Sequence, residues 1–166
     1  MIAEKICGKF SGSEKKTETV VIEWFERDKK ILRKISSSGE EVGIRTEETL
    51  NQNDIIYEDD ERIIYIDIAP CDLVSVSVSD MKEMGRLCFE LGNRHLSLSI
   101  DEHTVKCPYD DPTFEYLKRL GFSAEKVHEK FEGYIECRAH AHTNTHSHSG
   151  SHDGEHHHGH HHEHEH

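Results

Sequence analysis

Residues 73–100 read LVSVSVSDMKEMGRLCFELGNRHLSLSI, and this stretch decides the fold of the second half of the chain. Its first part, Leu73–Val78, alternates apolar and polar side chains, which predicts a half-buried strand. Its last part, His95–Ile100, alternates in the same way and predicts a second strand. The residues between these two strands follow a different period.

The middle of this stretch predicts an amphipathic helix. Asp80, followed three residues later by Glu83, is an N-cap with a capping box. Gly92 is expected to end the helix, because glycine readily adopts the left-handed conformation that follows many helices. Between these signals, apolar side chains recur at three- and four-residue spacing, at Met81, Met84, Leu87, Cys88 and Leu91.

The residues after this stretch predict a hairpin and a second helix. Asp101–His103 has the composition of a hairpin turn, and it leads into the strand Thr104–Cys107. Asp111 is expected to cap the second helix, with Pro112 in its first helical position.

Gly121 is expected to end the second helix, and residues 122–131 can supply one more strand. The order of elements from Leu73 is then βαββαβ, which is the ferredoxin-like arrangement. We assign residues 71–138 to this domain.

Residues 1–70 predict a small all-β domain. Five β-branched and aromatic runs are separated by polar turns and show no helical period. These runs are Thr19–Phe25, Ile31–Ile35, Glu41–Arg45, Asp54–Tyr57 and Arg62–Ile68. Short strands at this spacing are typical of a β-sandwich or barrel. The predicted fold class is therefore α+β, with the all-β domain preceding the ferredoxin-like domain.

Residues 139–166 hold thirteen of the sixteen histidines and no large apolar side chain. Ordering such a segment would offset almost none of its conformational entropy, so we expect a disordered tail. Neutral imidazole is a ligand for nickel, zinc and copper, and composition does not choose among these metals. The candidate ligands in the tail are His140, His142, His146, His148, His152, His156, His157, His158, His160, His161, His162, His164 and His166.

Two interpretations without a metal role stay open for the tail: an expression tag and a solvated linker. Acidic residues, glycine and threonine interrupt the histidines, whereas a tag is normally an unbroken block. If the tail binds metal, each ion must order part of it, so the affinity of each site is expected to be modest. Binding should weaken as pH falls, because imidazoles with a pKa near ~6.5 become protonated.

The net charge of −13 argues against nucleic acid as a partner, because an acidic surface repels phosphate backbones. The amino terminus lacks a secretory pattern and no stretch is long and apolar enough to span a bilayer, so we expect a cytoplasmic protein without membrane contact. The five cysteines form no C-x-x-C pair, which indicates free buried thiols rather than a disulfide framework or a zinc ribbon.

His95 lies at the predicted junction between the first helix and the next strand. The negative end of the helix dipole favours a cation at this position. A single histidine is, however, more often a structural hydrogen-bonding group, and one imidazole cannot hold a metal ion alone. A symmetric dimer could supply two such residues across its axis.

The segment Phe89–His95, which reads FELGNRH, on a βαββαβ domain resembles the UreE family of urease accessory proteins. The preceding β-domain and the terminal histidine tail are similar to that family in order and size. The resemblance implies a homodimer that binds nickel and passes it to urease apoprotein during active-site assembly, together with other urease accessory proteins. Zinc or copper is expected to fit the same sites.

The resemblance also implies where the metal binds. In the family, the histidine that matches His95 lies at the dimer interface and pairs with its symmetry mate around one ion. Histidines that match His140 and His142 complete this site in some members. The amino-terminal domain, residues 1–70, is expected to be a partner- or peptide-binding surface.

The chain departs from the family at a secondary site. Some members carry two further histidines before the second helix, where this chain has Tyr109 and Asp111. That departure puts the secondary site in doubt here. His103 and His128 match no ligand of the family, and we expect both to be exposed polar residues.

Two functions remain to be distinguished. The first is a metallochaperone, in which a defined site and a histidine-rich reservoir supply nickel to a client. The second is a nickel or zinc storage or buffering protein that acts through its tail. We do not expect an enzyme, because the chain has no glycine-rich phosphate loop and no G-x-S-x-G nucleophile elbow.

Overall fold

The computed structural model describes residues 1–135, and the strands of its amino-terminal lobe form two sheets. The seven strands are β1 (Ile2–Ala3), β2 (Gly8–Lys9), β3 (Lys16–Ile22), β4 (Ile31–Ile35), β5 (Glu41–Arg45), β6 (Asp54–Glu58) and β7 (Arg62–Ile68). One sheet has the order β1-β5-β4 and the other has the order β2-β6-β7-β3. The all-β character expected of residues 1–70 is therefore found.

The two sheets of this lobe share one core. Alternate residues of their strands are buried against each other, including Val20, Ile22, Val42, Ile44, Ile64 and Ile66. The sequence does not predict β1 and β2, because strands of two residues are too short to leave a periodic pattern.

The prediction of a strand over Thr19–Phe25 is wrong at both ends. β3 begins at Lys16 and ends at Ile22, and Trp24–Glu26 forms a single turn of 3₁₀ helix. The carboxylate of Glu26 accepts a hydrogen bond of 2.9 Å from the backbone N–H of Glu23, which caps this turn. The indole of Trp24 therefore leaves the sheet and lies edge-on to Phe131, with 5.3 Å between ring centroids.

The second lobe contains the predicted βαββαβ order. Its elements are β8 (Pro70–Ser77), α1 (Met81–Asn93), β9 (Ser99–Ile100), β10 (Thr104–Pro108), α2 (Asp111–Arg119) and β11 (Ala124–Lys130). The sheet has the order β11-β8-β10-β9, and every neighbouring pair is antiparallel. Both helices cover the same face, because Leu87, Leu91 and Leu117 are buried in one cluster with Val74, Val76 and Val105.

Several predicted boundaries in this lobe are displaced. The strand expected over Leu73–Val78 runs over Pro70–Ser77. α1 does not end at Gly92 but continues to Asn93, with Arg94 as its C-cap. The strand expected over His95–Ile100 is reduced to Ser99–Ile100, because the chain is still completing the turn after α1 at His95.

The predicted cap of α2 is displaced by one residue. Asp110, not Asp111, accepts the capping hydrogen bond, from the backbone N–H of Thr113 at 2.8 Å. Asp111 is the first helical residue and Pro112 is the second. Proline is tolerated at either position, because the first N–H groups of a helix have no intrahelical acceptor.

After β11 the chain contacts both lobes. Phe131 stacks on Tyr134 with 4.6 Å between ring centroids, and the hydroxyl of Tyr134 donates to the carbonyl oxygen of Trp24. Ile135 and Leu98 then exchange two backbone hydrogen bonds, of 2.7 and 3.1 Å. Ile135, the last described residue, therefore lies beside the segment that links α1 to β9.

Among residues 1–135, no helix is long and apolar enough to cross a membrane. The tail expected to be disordered, residues 139–166, lies outside the described part of the chain.

Candidate metal centre

His95 closes the carboxyl end of α1. Its backbone N–H donates to the carbonyl of Gly92 at 2.9 Å, and the N–H of Leu96 donates to the carbonyl of Leu91 at 3.4 Å. This pair of bonds is the Schellman motif, in which the residue after the C-cap must adopt a left-handed conformation. His95 does so, with φ of 57°.

A histidine at this position carries a conformational cost. Left-handed backbone brings the Cβ close to the following carbonyl, at about 1–2 kcal/mol for an ordinary residue, and glycine avoids that cost. In residues 1–135 the other non-glycine residue with positive φ is Asn53, and asparagine and histidine are both more frequent in this region than most other non-glycine residues. Strain of this kind concentrates at functional sites, so the choice of histidine at the end of α1 needs an explanation beyond the fold.

The surroundings of His95 suit a cation. The side chain is exposed, and it lies at the negative end of the dipole of a helix of 13 residues. Among the described residues, no three His, Cys, Asp or Glu side chains are grouped closely enough to hold a metal ion. A metal at His95 therefore needs ligands from residues beyond 135 or from another chain. The candidate ligands from His140 to His166 lie outside the described residues.

One side of α1 is exposed and apolar. Met81 is 84% exposed and Phe89 is 66% exposed, and Gly85 and Gly92 lie on the same side of the helix. A Cβ added at either glycine would have no neighbour within 4 Å. We call these four residues the α1 face, and it leads directly to His95.

Sequence reasoning missed the α1 face. It placed Met81 with the buried apolar positions, whereas the structure buries Leu87 and Leu91 and leaves Met81 in solvent. A signal was present, because Phe89 lies off the periodic apolar stripe.

The doubtful secondary site at Tyr109 and Asp111 is occupied by other interactions. The hydroxyl of Tyr109 donates to Asp111 at 2.8 Å, and this hydrogen bond raises the pKa of the phenol. The ammonium group of Lys126 lies 4.3 Å from the centroid of the Tyr109 ring. A neutral phenol beside a fixed cation is a poor setting for a metal ion.

His103 and His128 are both exposed, as expected. His128 is not isolated, because its Nδ1 lies 2.8 Å from a carboxylate oxygen of Asp72. The other oxygen of Asp72 accepts from Lys126 at 2.7 Å, and these contacts, led by Lys126, lower the pKa of Asp72. The group is a surface ion-pair network that cross-links two strands.

Of the four cysteines among residues 1–135, one is buried as expected, and Cys137 lies outside the described residues. Cys107 is buried, and burial raises its pKa to about 12. Cys71 and Cys88 are half-buried, with pKa values also raised by burial, and Cys7 is exposed.

Both halves of the sequence match known families. Residues 3–69 match the family described as UreE urease accessory protein, N-terminal domain. Residues 71–166 match the family described as UreE urease accessory protein, C-terminal domain. The division between the two matches coincides with the junction of β7 and β8.

Relatives named urease accessory protein UreE cover most of the chain. The protein from Bifidobacterium longum subsp. infantis is 40% identical over 145 residues, which is 85% of this chain and 66% of the relative. The protein from Flavobacterium johnsoniae is 36% identical over 148 residues, or 86% of this chain and 90% of the relative. The protein from Acetivibrio thermocellus is 38% identical over 130 residues, which is 75% of this chain and 85% of the relative.

Proposed function

The chain belongs to the UreE family of urease accessory proteins, and on that premise we propose that it is a metallochaperone that binds nickel and delivers it to urease. The family has a role in urease maturation as an accessory protein rather than as an enzyme. Nickel is the cargo of this reaction sequence, and the task of the chain is to hold and release it. The ferredoxin-like interpretation of the second lobe is supported by its strand order.

The observation that carries the proposal is His95. It occupies a position where the backbone favours glycine, it is exposed, and it lies at the negative end of α1. Imidazole at a helix carboxyl terminus gains from the dipole when it binds a cation. The free energy of metal binding would offset the conformational cost of the left-handed backbone, which explains a histidine at this position.

We propose that a second copy of the chain supplies a second His95. The α1 face supports this, because Met81 and Phe89 leave a large apolar area exposed beside two glycines. Glycines allow the backbones of two helices to approach closely. In a two-fold dimer the same face meets itself, so residues near the axis lie close to their own symmetry mates. Two imidazoles then share one ion between the copies.

His140 and His142 are the proposed additional ligands of this site. His140 is five residues beyond Ile135, so an extended chain between them spans at most roughly 18 Å. Ile135 is hydrogen-bonded to Leu98, which is three residues from His95. The chain length therefore permits these histidines to reach His95, and the histidines after His142 form a reservoir.

Ligand chemistry alone leaves zinc and copper able to occupy the same site. Nickel is assigned because of the urease connection of the family. The proposed partners are urease apoprotein and the other urease accessory proteins, and the proposed compartment is the cytoplasm. The amino-terminal lobe is the proposed partner-binding part.

Nickel titration of the chain that lacks residues 143–166 tests the metal site. We expect about one site per dimer to survive, and His95→Ala to remove it. His103→Ala is the matched control, since it deletes an exposed histidine of the same lobe. Loss of all binding on truncation, or an intact site in His95→Ala, contradicts the site.

The alternative is a nickel or zinc store that acts through the tail, and the observation that favours it is the thirteen histidines after residue 139. Affinity capture with urease apoprotein and its accessory proteins separates the two functions. A chaperone retains these clients even after residues 143–166 are removed, whereas a store shows no specific client.

A further inference from the structure

We propose that the outward face of the sheet β1-β5-β4 binds an extended apolar segment of a partner protein that carries a carboxylate opposite Arg33. The inference rests on the partner-binding role proposed for the amino-terminal lobe, and it specifies the surface and the chemistry of its ligand. We call this surface the β5 groove. It is defined by Ile2, Ile31, Arg33, Gly43 and Arg45.

The β5 groove is a cavity of about 330 Å³ across all three strands. Gly43 in the central strand is paired with Ile2 on one side and with Arg33 on the other. Because side chains alternate along a strand, Val42 and Ile44 point to the core and Gly43 lies on the outward face. The floor of the groove is thus a residue without a side chain.

The walls of the groove are apolar and exposed. Ile2 is 72% exposed, Ile31 is 74% exposed, and the adjacent Ile35 is 57% exposed. Three β-branched apolar side chains on one outward sheet face are unusual in a chain with a net charge of −13. Contiguous apolar surface with a polar rim indicates an interaction site.

Gly43 is not required by the fold. It is not among the glycines with positive φ. A Cβ at this position would lie 3.6 Å from Cγ1 of Ile2 and 3.6 Å from the carbonyl oxygen of Met1, which is ordinary contact. Glycine in a strand interior weakens the strand and often marks a place where another backbone approaches closely. Because glycine has no side chain, the backbone of a ligand segment can also approach the sheet at this position.

The charges around the groove select an acidic ligand. Arg45 is paired with Glu4, and the ammonium group of Met1 lies 3.6 Å from Glu40. The exposed guanidinium of Arg33 has no ion pair with any residue the structure describes. The guanidinium of Arg33 can therefore donate two parallel hydrogen bonds to one carboxylate of a ligand.

The groove also has a negative charge at one end, whereas Arg33 lies near its middle, opposite Gly43. Glu41 also lines the cavity, and it is paired across the strands with Ile35 rather than with Arg33. A carboxylate on the ligand is therefore favoured beside Arg33 and disfavoured beside Glu41.

Two other occupants fit the groove less well. The tail of this chain, residues 139–166, has no apolar side chain larger than alanine, so it cannot fill a groove walled by isoleucine. A second copy of the chain requires about 800 Å² of surface from each partner for a stable interface. Three isoleucines supply too little of that area, whereas they suffice for a short segment.

Fluorescence anisotropy with three labelled peptides tests the proposal on the full-length protein. The peptides are ten residues long, alternate valine and threonine, and differ only in a central Glu, Gln or Lys. We expect the Glu peptide to bind about 10-fold more tightly than the Lys peptide, which corresponds to a difference of about 1.4 kcal/mol. Arg33→Gln should abolish this preference.

Two further variants locate the binding. Gly43→Val should weaken binding of the Glu peptide at least ~10-fold without lowering the melting temperature, because the strand gains a β-branched residue whose Cβ makes only ordinary van der Waals contacts. Ile31→Ser should also weaken binding. Val21→Ser is its matched control, since Val21 is an exposed β-branched strand residue of the same lobe outside the groove.

Several results overturn the proposal: no peptide binds, the Glu and Lys peptides bind equally, or Gly43→Val binds as well as the wild type. A changed oligomeric state of Gly43→Val in sedimentation also overturns it, because the groove is then an interface between copies. Nickel titration of Gly43→Val should match the wild type. Failure of the groove is thereby distinguishable from failure of the nickel site, which His95→Ala reports.

Discussion

The two helices of the second lobe end in the same way but with different residues. At the end of α2, Gly121 has φ of 86° and donates to the carbonyl of Lys118, and Phe122 donates to that of Leu117. At the end of α1, His95 and Leu96 make the equivalent bonds to Gly92 and Leu91. The turn after each helix requires a residue in the left-handed conformation, and after α2 that residue is a glycine, Gly121.

The exposed sides of the two helices differ in the same direction. α2 presents Glu115, Lys118 and Arg119 to solvent, whereas α1 presents Met81 and Phe89 in addition to Lys82 and Arg86. α2 is therefore built as an ordinary surface helix. α1 combines a histidine in the left-handed conformation with exposed apolar side chains, and this difference is the basis of the site proposed at its end.

The largest expected effect is on assembly. Phe89→Glu places a charge in the centre of the α1 face, so the dimer dissociation constant should rise at least ~100-fold, which corresponds to about 2.8 kcal/mol. Sedimentation velocity measures this. Lys118→Glu makes a charge change on the exposed side of α2 and should leave the dimer intact. A stable dimer of Phe89→Glu would show that the α1 face is not the interface.

The next effect is on the stability of α2. Gly121→His forces a histidine into the left-handed conformation and should destabilise the metal-free protein by about 1–2 kcal/mol. Urea denaturation without metal measures the change in the free energy of unfolding. No nickel site should be gained, because the α1 face and the start of the tail are absent there. An unchanged stability would mean that histidine at such a position carries no cost in this lobe.

A smaller effect of opposite sign is expected at α1. His95→Gly removes the left-handed strain but adds entropy to the unfolded chain, which offsets part of the gain. The metal-free protein should become more stable by at most about 1 kcal/mol. His95→Ala is the comparison in the same urea experiment, since it keeps the strain and should not stabilise. Destabilisation by His95→Gly would favour a structural role for the imidazole.

The smallest effect is expected for His128. His128→Ala removes an exposed contact with Asp72, and exposed ion pairs contribute about 0–1 kcal/mol. Nickel stoichiometry of the chain lacking residues 143–166 should not change. A lost nickel site in this variant would move the metal centre from the end of α1 to the edge of the sheet.

The sequence predicts much of the second lobe because its patterns are long. Alternation over Leu73–Val78 and the helical period after Asp80 are strong local signals, and Gly121 ends α2 as expected. The position of His95 shortly after Gly92 identifies it as a candidate ligand. The sequence does not predict its left-handed backbone, because Gly92 is the expected residue to end the helix.

The remaining features depend on contacts that are distant in sequence. β1 and β2 exist because β5 and β6 provide neighbours for them, and two residues carry no period. The contact of Trp24 with Phe131 cannot be inferred from either segment alone. The β5 groove follows from the register that places Gly43 between Ile2 and Arg33.

Nickel titration of His95→Gly, in the chain that ends at His142, tests the central claim most directly, because glycine preserves the backbone of the Schellman turn. We predict a dimer at least as stable as the wild type and without the nickel site at the end of α1. A nickel site of wild-type affinity in this variant would contradict the claim that His95 is placed there to bind metal.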